Sequence, residues 1–474
     1  MPCYQIKPDD LLMFRDGRPI EPLSGSGAHG GHWPEPSILF DALHAALQLA
    51  FPTPQDWEHP HRFGRSGDRD ASRPRTQRFG SLVTAGPFPI LEGKWLFPVP
   101  QDVARPDEFA PSMLPITSAV GDHDLPQLLR WPLGNRVQTT KEGPLPWWDK
   151  AAFEQYLHWP LLSDSKGTAF AEEDIFLREW TIGIGVDSAT ETAGRGEARS
   201  QIYSAEYLRL QASVSMGIHA QMPTKNSHSP GTIDGLPKLF PQPGRITVGG
   251  QQRACQVEPM PEMALRSLLP SSAQITGTKL KWVLLSPAVF PQIHPNPDKQ
   301  ISAHHGGWLP NWIAPHDQFR VWQGDKSLEV PAGAVLLKRP LRRGDRTRDV
   351  WRRSVRQEPF LNCRLVAARI PKPLVLTGWT ERLHLVDEPD EKEAARKTKG
   401  ARPTLLAVPA GAVYYFEGPD AALLADALAW HGPPGADAPQ ILNRRSTLLG
   451  EKGFGLGVCG PWQSLADATQ RSGK

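Results

Sequence analysis

The residues best suited to chemistry in this chain are cations placed beside glycines near its two ends. Near the start, Arg15 and Arg18 flank Gly17 in the sequence FRDGRP, and near the finish Lys452 and Phe454 stand within the glycine-rich run GEKGFGLG. Glycine lets a backbone approach another surface closely, because it has no Cβ and adopts positive φ freely. Cations and an aromatic ring beside such a backbone suit a polyanion that carries stackable bases.

Three further places in the chain extend this pattern. The first is a glycine pair, Gly249 and Gly250, which follows a strand-like run and precedes Arg253. The second is an insertion at about 102–165, which contains Arg136 and Lys141, and the third is an arginine-rich stretch at 338–356. Arginine presents a planar fork of donors that matches phosphate oxygens, and an aromatic ring among arginines offers a face to a base. The full set of expected contacts with such a polyanion is Arg15, Gly17, Arg18, Arg136, Lys141, Gly249, Gly250, Arg253, Arg342, Arg343, Trp351, Lys452, Gly453, Phe454 and Gly455.

Each of these groups also has a structural interpretation. The arginine-rich stretches at 62–78 and 338–356 suit solvated loops or contacts with an acidic protein partner as well as a polyanion with bases. The second stretch is the stronger candidate, because Trp351 lies inside it. Asp16 could pair with a neighbouring arginine in a turn, and Phe454 could fill the core while the glycines allow strands to cross.

Other chemistries lack the residues that they need. The C-terminal run has no room for the helix and acidic residue of a dinucleotide-binding unit, and a Walker-type Gly-Lys-Ser/Thr is absent. The four cysteines form no C-x-x-C pair, and the adjacent His304 and His305 have no carboxylates or cysteines at metal-binding spacing. We therefore expect neither a cofactor nor a metal.

Length and composition bound the class of protein. At 474 residues the chain exceeds one ordinary hydrophobic core, which predicts two domains. Its 49 prolines and 42 glycines imply long loops, and a net charge of only +3 leaves polyanion binding to the distribution of charge. No stretch approaches the roughly 18 consecutive apolar residues of a membrane span, and the N-terminus lacks a signal-peptide apolar segment. We expect a soluble, cytoplasmic protein without membrane contact.

The elements that must position these residues are mostly strands, with a few helices. Ser37 is a plausible N-cap for a helix at 37–50, and further helices are predicted near 150–157 and at 421–430. Strands are predicted at 4–7, 82–84, 95–99, 180–186, 202–210, 245–248, 279–285, 361–370, 374–378 and 413–416. A strand, a helix and then further strands are typical of an α+β, ferredoxin-like unit. We predict two such units in tandem, at 1–258 and 273–474, with an insertion at about 102–165.

The order of the motifs along the chain resembles a known family. FRDGRP is followed by a Gly/Ser/His loop and by WPEPS before the first helix. LREWTIGIGVD at 177–187, IYSAEYLRL at 202–210, GGQQR at 249–253 and PAGAVYY at 409–415 then precede the final glycine run. This series spans nearly the whole chain and resembles the third RAMP subunit of the Cmr effector complex in type III-B CRISPR systems. Gln251 stands where that family usually has an acidic residue.

The resemblance implies a non-catalytic subunit built from tandem ferredoxin-like (RRM-like) domains with long loop insertions. Such a subunit holds the 5′ repeat-derived handle of the guide RNA (crRNA). It also joins the large polymerase-like subunit to the first backbone RAMP subunit, and an equivalent subunit occurs in type III-A complexes. Two alternatives remain open: a metal-independent, repeat-processing endonuclease with His44 as general acid or base, and a protein–protein adaptor without RNA contact.

Overall fold

The protein is described here from a computed structural model. The residues that the structure describes are 3–14, 29–30, 32–50, 82–106, 108–118, 123–161, 167–187, 189–193, 202–221, 235–261, 263–323, 326–338, 360–377, 379–381, 399–401, 404–433 and 441–472. The predicted contacts that lie outside these residues are Arg15, Gly17, Arg18, Arg342, Arg343 and Trp351. The fold is α+β, with mostly antiparallel sheets and few helices.

The described residues form six α-helices, three short 3₁₀ helices and 23 strands. The helices are α1 (Pro36–Ala50), α2 (Lys150–His158), α3 (Gly235–Leu239), α4 (Leu265–Leu268), α5 (Ala421–Leu428) and α6 (Leu465–Ser472). The strands are β1 (Cys3–Pro8), β2 (Val83–Leu91), β3 (Lys94–Pro98), β4 (Met113–Pro115), β5 (Leu133–Asn135), β6 (Trp147–Asp149), β7 (Ala169–Phe170), β8 (Phe176–Ile184), β9 (Ile202–Leu210), β10 (Val214–Gln221), β11 (Gly244–Val248), β12 (Arg253–Pro259), β13 (Lys279–Leu284), β14 (Ala288–Val289), β15 (Phe319–Gln323), β16 (Lys326–Val330), β17 (Arg364–Arg369), β18 (Leu374–Leu376), β19 (Trp379–Glu381), β20 (Lys399–Ala401), β21 (Leu405–Val408), β22 (Val413–Glu417) and β23 (Gly457–Gly460).

An eight-stranded antiparallel sheet organises the N-terminal half. Its order is β11-β12-β1-β10-β2-β3-β6-β7, and α1 connects β1 to β2 and packs against β2 and β11. Tyr4 of β1 lies opposite Ile218 on one side and Pro259 on the other. When β1, β2, β10 and β12 are numbered as they occur in the chain, their order across the sheet is 4-1-3-2.

A four-stranded antiparallel sheet forms the centre of the C-terminal half. Its order is β17-β22-β13-β23, which again becomes 4-1-3-2 when the strands are numbered along the chain. Helix α5 follows β22 and packs against β13 and β23. The connection from β13 to β17 carries the β15–β16 hairpin, and its described residues contain no α-helix. The two halves therefore share a strand order, but the connection between their first and second strands contains an α-helix only in the N-terminal half, as far as the described residues show.

The two sheets share a hydrophobic core. Helix α1 covers one face of the N-terminal sheet with Leu39, Leu43 and other apolar residues. The opposite face of β2, with Phe88, packs in one cluster with Val283 and Val458 of the C-terminal sheet. Because both faces are covered, β2 and β10 are buried along nearly their whole length.

The insertion at 102–165 belongs to this core as well. Its strand β6 pairs with β3, and its helix α2 packs against β3, β6 and β23. The side chain of Asp149 accepts a hydrogen bond from the Ala152 amide at 2.9 Å and so caps α2. The predicted helix in the insertion is confirmed, and α1 begins one residue before its predicted start, at Pro36, which suits a first helical position.

Four buried polar residues connect the insertion to the C-terminal sheet and are here named the junction cluster: Asp102, Tyr156, Lys281 and Tyr415. The fully buried Asp102 carboxylate accepts hydrogen bonds from the hydroxyls of Tyr156 at 2.8 Å and Tyr415 at 2.6 Å. The buried Lys281 ammonium donates to the Tyr156 carbonyl oxygen at 3.2 Å and lies 3.5 Å from the centroid of that ring. Burial raises the pKa of Asp102 and lowers the pKa of Lys281 to about 8.

Candidate nucleic-acid interface

The Gly249–Gly250 turn joins β11 to β12 and lies directly against segment 11–14. The amide of Gly250 donates a hydrogen bond to the carbonyl oxygen of Met13 at 2.8 Å. Gly249 has a positive φ of 71°, and a Cβ at this position would lie 2.6 Å from the same oxygen. Only glycine therefore fits at position 249 without a shift of the backbone.

This contact brings together two motifs that are far apart in the sequence. Segment 11–14 ends at Phe14, which directly precedes Arg15 in FRDGRP. Leu12 in the same segment pairs with Leu208 of β9 through two backbone hydrogen bonds of 2.9 Å. The start of FRDGRP and the Gly249–Gly250 turn consequently lie at the same edge of the N-terminal half, beside β9.

Arg253 lies at this edge, in a group here named the Arg253 cluster (Tyr207, Gln251 and Arg253). The Nη2 of Arg253 donates to the Gln251 side-chain oxygen at 2.8 Å, and its guanidinium lies 5.2 Å from the centroid of the Tyr207 ring. The Tyr207 hydroxyl donates to the same Gln251 oxygen at 3.0 Å. Tyr207 is not among the predicted contacts, because its position depends on how β9 meets segment 11–14.

The C-terminal glycine run packs against the N-terminal half. The Lys452 ammonium lies 2.6 Å from the Asp41 carboxylate on α1 and 4.9 Å from the centroid of the Phe40 ring. Only 14% of the Lys452 side chain is exposed. Lys452, a predicted phosphate contact, is thus engaged by a carboxylate of its own chain in this structure.

The glycines of the same run permit close crossings of the backbone. Gly453 and Gly455 have positive φ of 98° and 75°, and a Cβ on Gly453 would lie 3.2 Å from the Gly86 carbonyl oxygen of β2. Phe454, between them, is fully buried in a small cluster with Val289. The expectation that Phe454 stacks on a base is wrong for this structure, because its ring fills the core as the alternative interpretation predicted.

The two predicted contacts in the insertion differ in their surroundings. Arg136 forms an ion pair with Glu108, and its guanidinium lies 5.2 Å from the centroid of the Trp159 ring. Lys141 is exposed. Within the described part of the chain, no hydrogen bond or ion pair connects either residue to the Gly249–Gly250 turn.

The β8–β9 hairpin presents an apolar face that the strand predictions did not reveal. Trp180, Ile182 and Ile184 alternate along β8 and are 51%, 77% and 58% exposed. At the middle of the hairpin, where Glu206 of β9 lies opposite Trp180, the Gly30 amide donates to the Glu206 carboxylate at 3.1 Å. The alternation of apolar residues was visible in the sequence, but their exposure depends on the hairpin standing apart from both large sheets.

The surroundings of the candidate metal-ligating residues and of His44 can be examined among the described residues. No group of three or more His, Cys, Asp or Glu side chains in the described ranges is placed to hold a metal ion. His44 stacks on Phe40 of α1, with 6.0 Å between the ring centroids. Among the helices that the structure describes, none is long and apolar enough to span a membrane.

Comparisons with known proteins identify the family. A family model for a CRISPR-associated protein (Cas_Cmr3) matches residues 4–462. A chain of the Type III-B Cmr-beta complex bound to cognate target RNA is 13% identical over 87% of this chain and 86% of its own, with a TM-score of 0.35. A chain of the Csm3–Csm4 subcomplex of the type III-A interference complex is 10% identical over 88% and 94%, with a TM-score of 0.32. No curated protein matches the sequence. Because the family model covers nearly the whole chain, the protein belongs to the Cas_Cmr3 family of CRISPR-associated proteins, which confirms the resemblance carried by the order of its motifs.

Proposed function

We propose that this protein is the subunit of a type III-B CRISPR effector complex that holds the 5′ handle of the guide RNA. The observation that carries the proposal is the meeting of two motifs at one edge of the N-terminal half. Segment 11–14, which leads into Arg15, contacts the Gly249–Gly250 turn, and Arg253 lies beside both. Glycine turns, whose backbone amides are accessible, and clustered cations suit the splayed bases and the phosphates of single-stranded RNA.

The fold supports two tandem ferredoxin-like units, at 1–258 and 273–474. The order 4-1-3-2 recurs in both sheets, with antiparallel neighbours throughout. A single RRM stacks bases on an open sheet face. Here β2 and β10 are buried on both faces, so the contacts with the handle belong to turns and loops at the sheet edge.

In this proposal the chain binds and positions RNA and does not cleave it. Arg15, Arg18 and Arg253 neutralise phosphates, while base edges meet backbone amides of the glycine turns. A fixed handle sets the register from which the complex measures its guide. The large polymerase-like subunit and the first backbone RAMP subunit are the proposed protein partners, and the exposed apolar face of the β8–β9 hairpin is a candidate contact surface in that assembly.

The proposal is tested with the purified chain, labelled RNA that carries a 5′ handle, and a handle-scrambled RNA, in the absence of metal. Gel shift and product length are read from the same samples over a range of salt. We expect salt-sensitive binding that depends on the handle and leaves the RNA intact. Combined Arg15→Ala and Arg253→Ala should abolish the preference, whereas Arg320→Ala, which removes an exposed arginine from the β15–β16 hairpin, is the matched control.

Two outcomes would favour the alternatives. Specific cleavage that disappears in His44→Ala would support a repeat-processing endonuclease. Absence of RNA binding, together with salt-insensitive association with the partner subunits, would support a protein adaptor.

A further inference from the structure

Two donors converge on one oxygen beside the Gly249–Gly250 turn. The Oε1 of Gln251 accepts the hydrogen bonds of both Arg253 and Tyr207, at 2.8 Å and 3.0 Å. Gln251 holds a left-handed backbone conformation, with φ of 58° and ψ of 22°. Residues with a side chain rarely adopt this conformation, so the turn stores strain in order to direct this amide.

The positive charge of Arg253 is not neutralised by the groups that hold its side chain. Its described partners, an amide oxygen and an aromatic ring, are both neutral. Other arginines at this edge are neutralised by carboxylates: Arg209 pairs with Glu179, and Arg245 pairs with Asp9 at 3.2 Å. Within the described residues, no carboxylate lies within 4 Å of the Arg253 guanidinium.

The position of this cation gives it a function. The turn that carries Gln251 is bonded to Met13 and packs on Phe14, so the Arg253 cluster lies beside the point where FRDGRP begins. A guanidinium fixed by a neutral acceptor and an aromatic ring is preorganised for a phosphate, because its rotamer is already restricted and its charge is not cancelled.

We infer that Gln251 and Tyr207 are positioning residues that hold Arg253, uncompensated, for one backbone phosphate of the bound RNA. This inference rests on the proposed function and deepens it. A carboxylate at position 251 would accept the same two hydrogen bonds and cancel the charge. Loss of the Tyr207 hydroxyl would loosen the guanidinium and leave the charge in place.

The test is the salt dependence of handle-RNA binding by the full chain, measured for Gln251→Glu and Tyr207→Phe. For Gln251→Glu we expect the slope of log K against log salt to fall by about 0.7, which corresponds to one phosphate contact on a single strand, and the affinity to fall about fivefold. For Tyr207→Phe we expect an affinity about threefold weaker with an unchanged slope, because the charge is retained. Gln318→Glu is the matched control, since Gln318 also has a left-handed backbone, with φ of 57°, but lies in the C-terminal half.

The outcomes separate this inference from the proposed function. If the unsubstituted chain binds the handle and Gln251→Glu has the slope of Gln318→Glu, the inference is overturned and the proposed function stands. Wild-type affinity in Tyr207→Phe overturns the assignment of Tyr207. If the unsubstituted chain binds no RNA, both the proposed function and the inference are overturned.

Discussion

The junction cluster places two ionisable side chains where water cannot reach them. Lys281 and Asp102 are both fully buried. Tyr156 contacts both of them, because its hydroxyl donates to the Asp102 carboxylate and its carbonyl oxygen accepts from the Lys281 ammonium. Burying a pair of charges costs about as much as their attraction returns, whereas removing one partner leaves an uncompensated charge. The cluster therefore ties the insertion to the C-terminal sheet most strongly when it is complete.

We predict that Lys281→Met lowers the free energy of unfolding by about 3–5 kcal/mol, because it leaves the Asp102 charge buried without a cation. The double variant Asp102→Asn with Lys281→Met should come within about 1 kcal/mol of the wild type, because it removes both charges and nearly preserves volume. Urea denaturation monitored by circular dichroism measures both. Equal losses in the single and double variants would show that the two residues are not coupled.

The same pair predicts a pH dependence. Burial lowers the pKa of Lys281 to about 8 in the folded chain, against 10.5 for an unperturbed lysine. Between these values the unfolded chain holds a proton that the folded chain has released, so the Lys281 contribution to the free energy of unfolding rises with pH. We expect the stability of the wild type relative to the double variant to increase between pH 8 and 10. A difference that stays flat over this window would contradict the burial of the ammonium.

At the scale of elements, the C-terminal glycine run joins the chain's two halves. Gly453 crosses β2 with a φ of 98°, and its Cβ would lie 3.2 Å from the carbonyl oxygens of both Thr84 and Gly86. Gly93, in the turn between β2 and β3, has a comparable φ of 80° but open space around its Cβ position. Alanine substitution at Gly93 therefore introduces backbone strain alone, whereas substitution at Gly453 adds a steric clash with β2.

We predict that Gly453→Ala lowers the free energy of unfolding by about 1–3 kcal/mol more than Gly93→Ala, because overpacking is added to the strain that both alanines share. Thermal denaturation of the two variants measures the difference. Equal destabilisation would mean that the run can withdraw from β2 without cost.

The elements that could be predicted from sequence are those with a strong local pattern. The strand at 202–210 and the helix near 150–157 were predicted because their apolar periodicity is continuous. Strand β10 has the sequence VSMGIHAQ, in which glycine and polar residues interrupt the alternation, although both of its faces are buried. Its place between β1 and β2 is decided by pairing with strands distant in sequence, which no local pattern records.

The candidate site divides in the same way. Cations beside glycines can be recognised in the sequences FRDGRP, GGQQR and GEKGFGLG. The role of each cation depends on which side chains contact it in the folded chain. Arg253 meets neutral partners, whereas Lys452 meets Asp41. The partner of a charged side chain is set by tertiary packing, so residue type alone could not separate these two cations.

At the scale of the whole molecule, the shared core determines how the two proposed units respond to damage. Phe88 of β2 and Val458 of β23 belong to one buried cluster, whereas Phe319 belongs to a small separate cluster under the β15–β16 hairpin. A cavity in the shared core removes contacts from both halves at once, because the residues around it come from both sheets.

We therefore predict that the chain unfolds in one transition, with tryptophan fluorescence and far-ultraviolet circular dichroism superimposed. Phe88→Ala should lower the free energy of unfolding by about 3–5 kcal/mol and accelerate amide exchange in β13 and β22 of the C-terminal sheet as well as in β2. Phe319→Ala is the control, and we expect its faster exchange to stay within the hairpin. Acceleration confined to the N-terminal strands in Phe88→Ala would show that the two proposed units open independently, and the rigidity of the proposed RNA-binding edge would then have to come from the N-terminal unit alone.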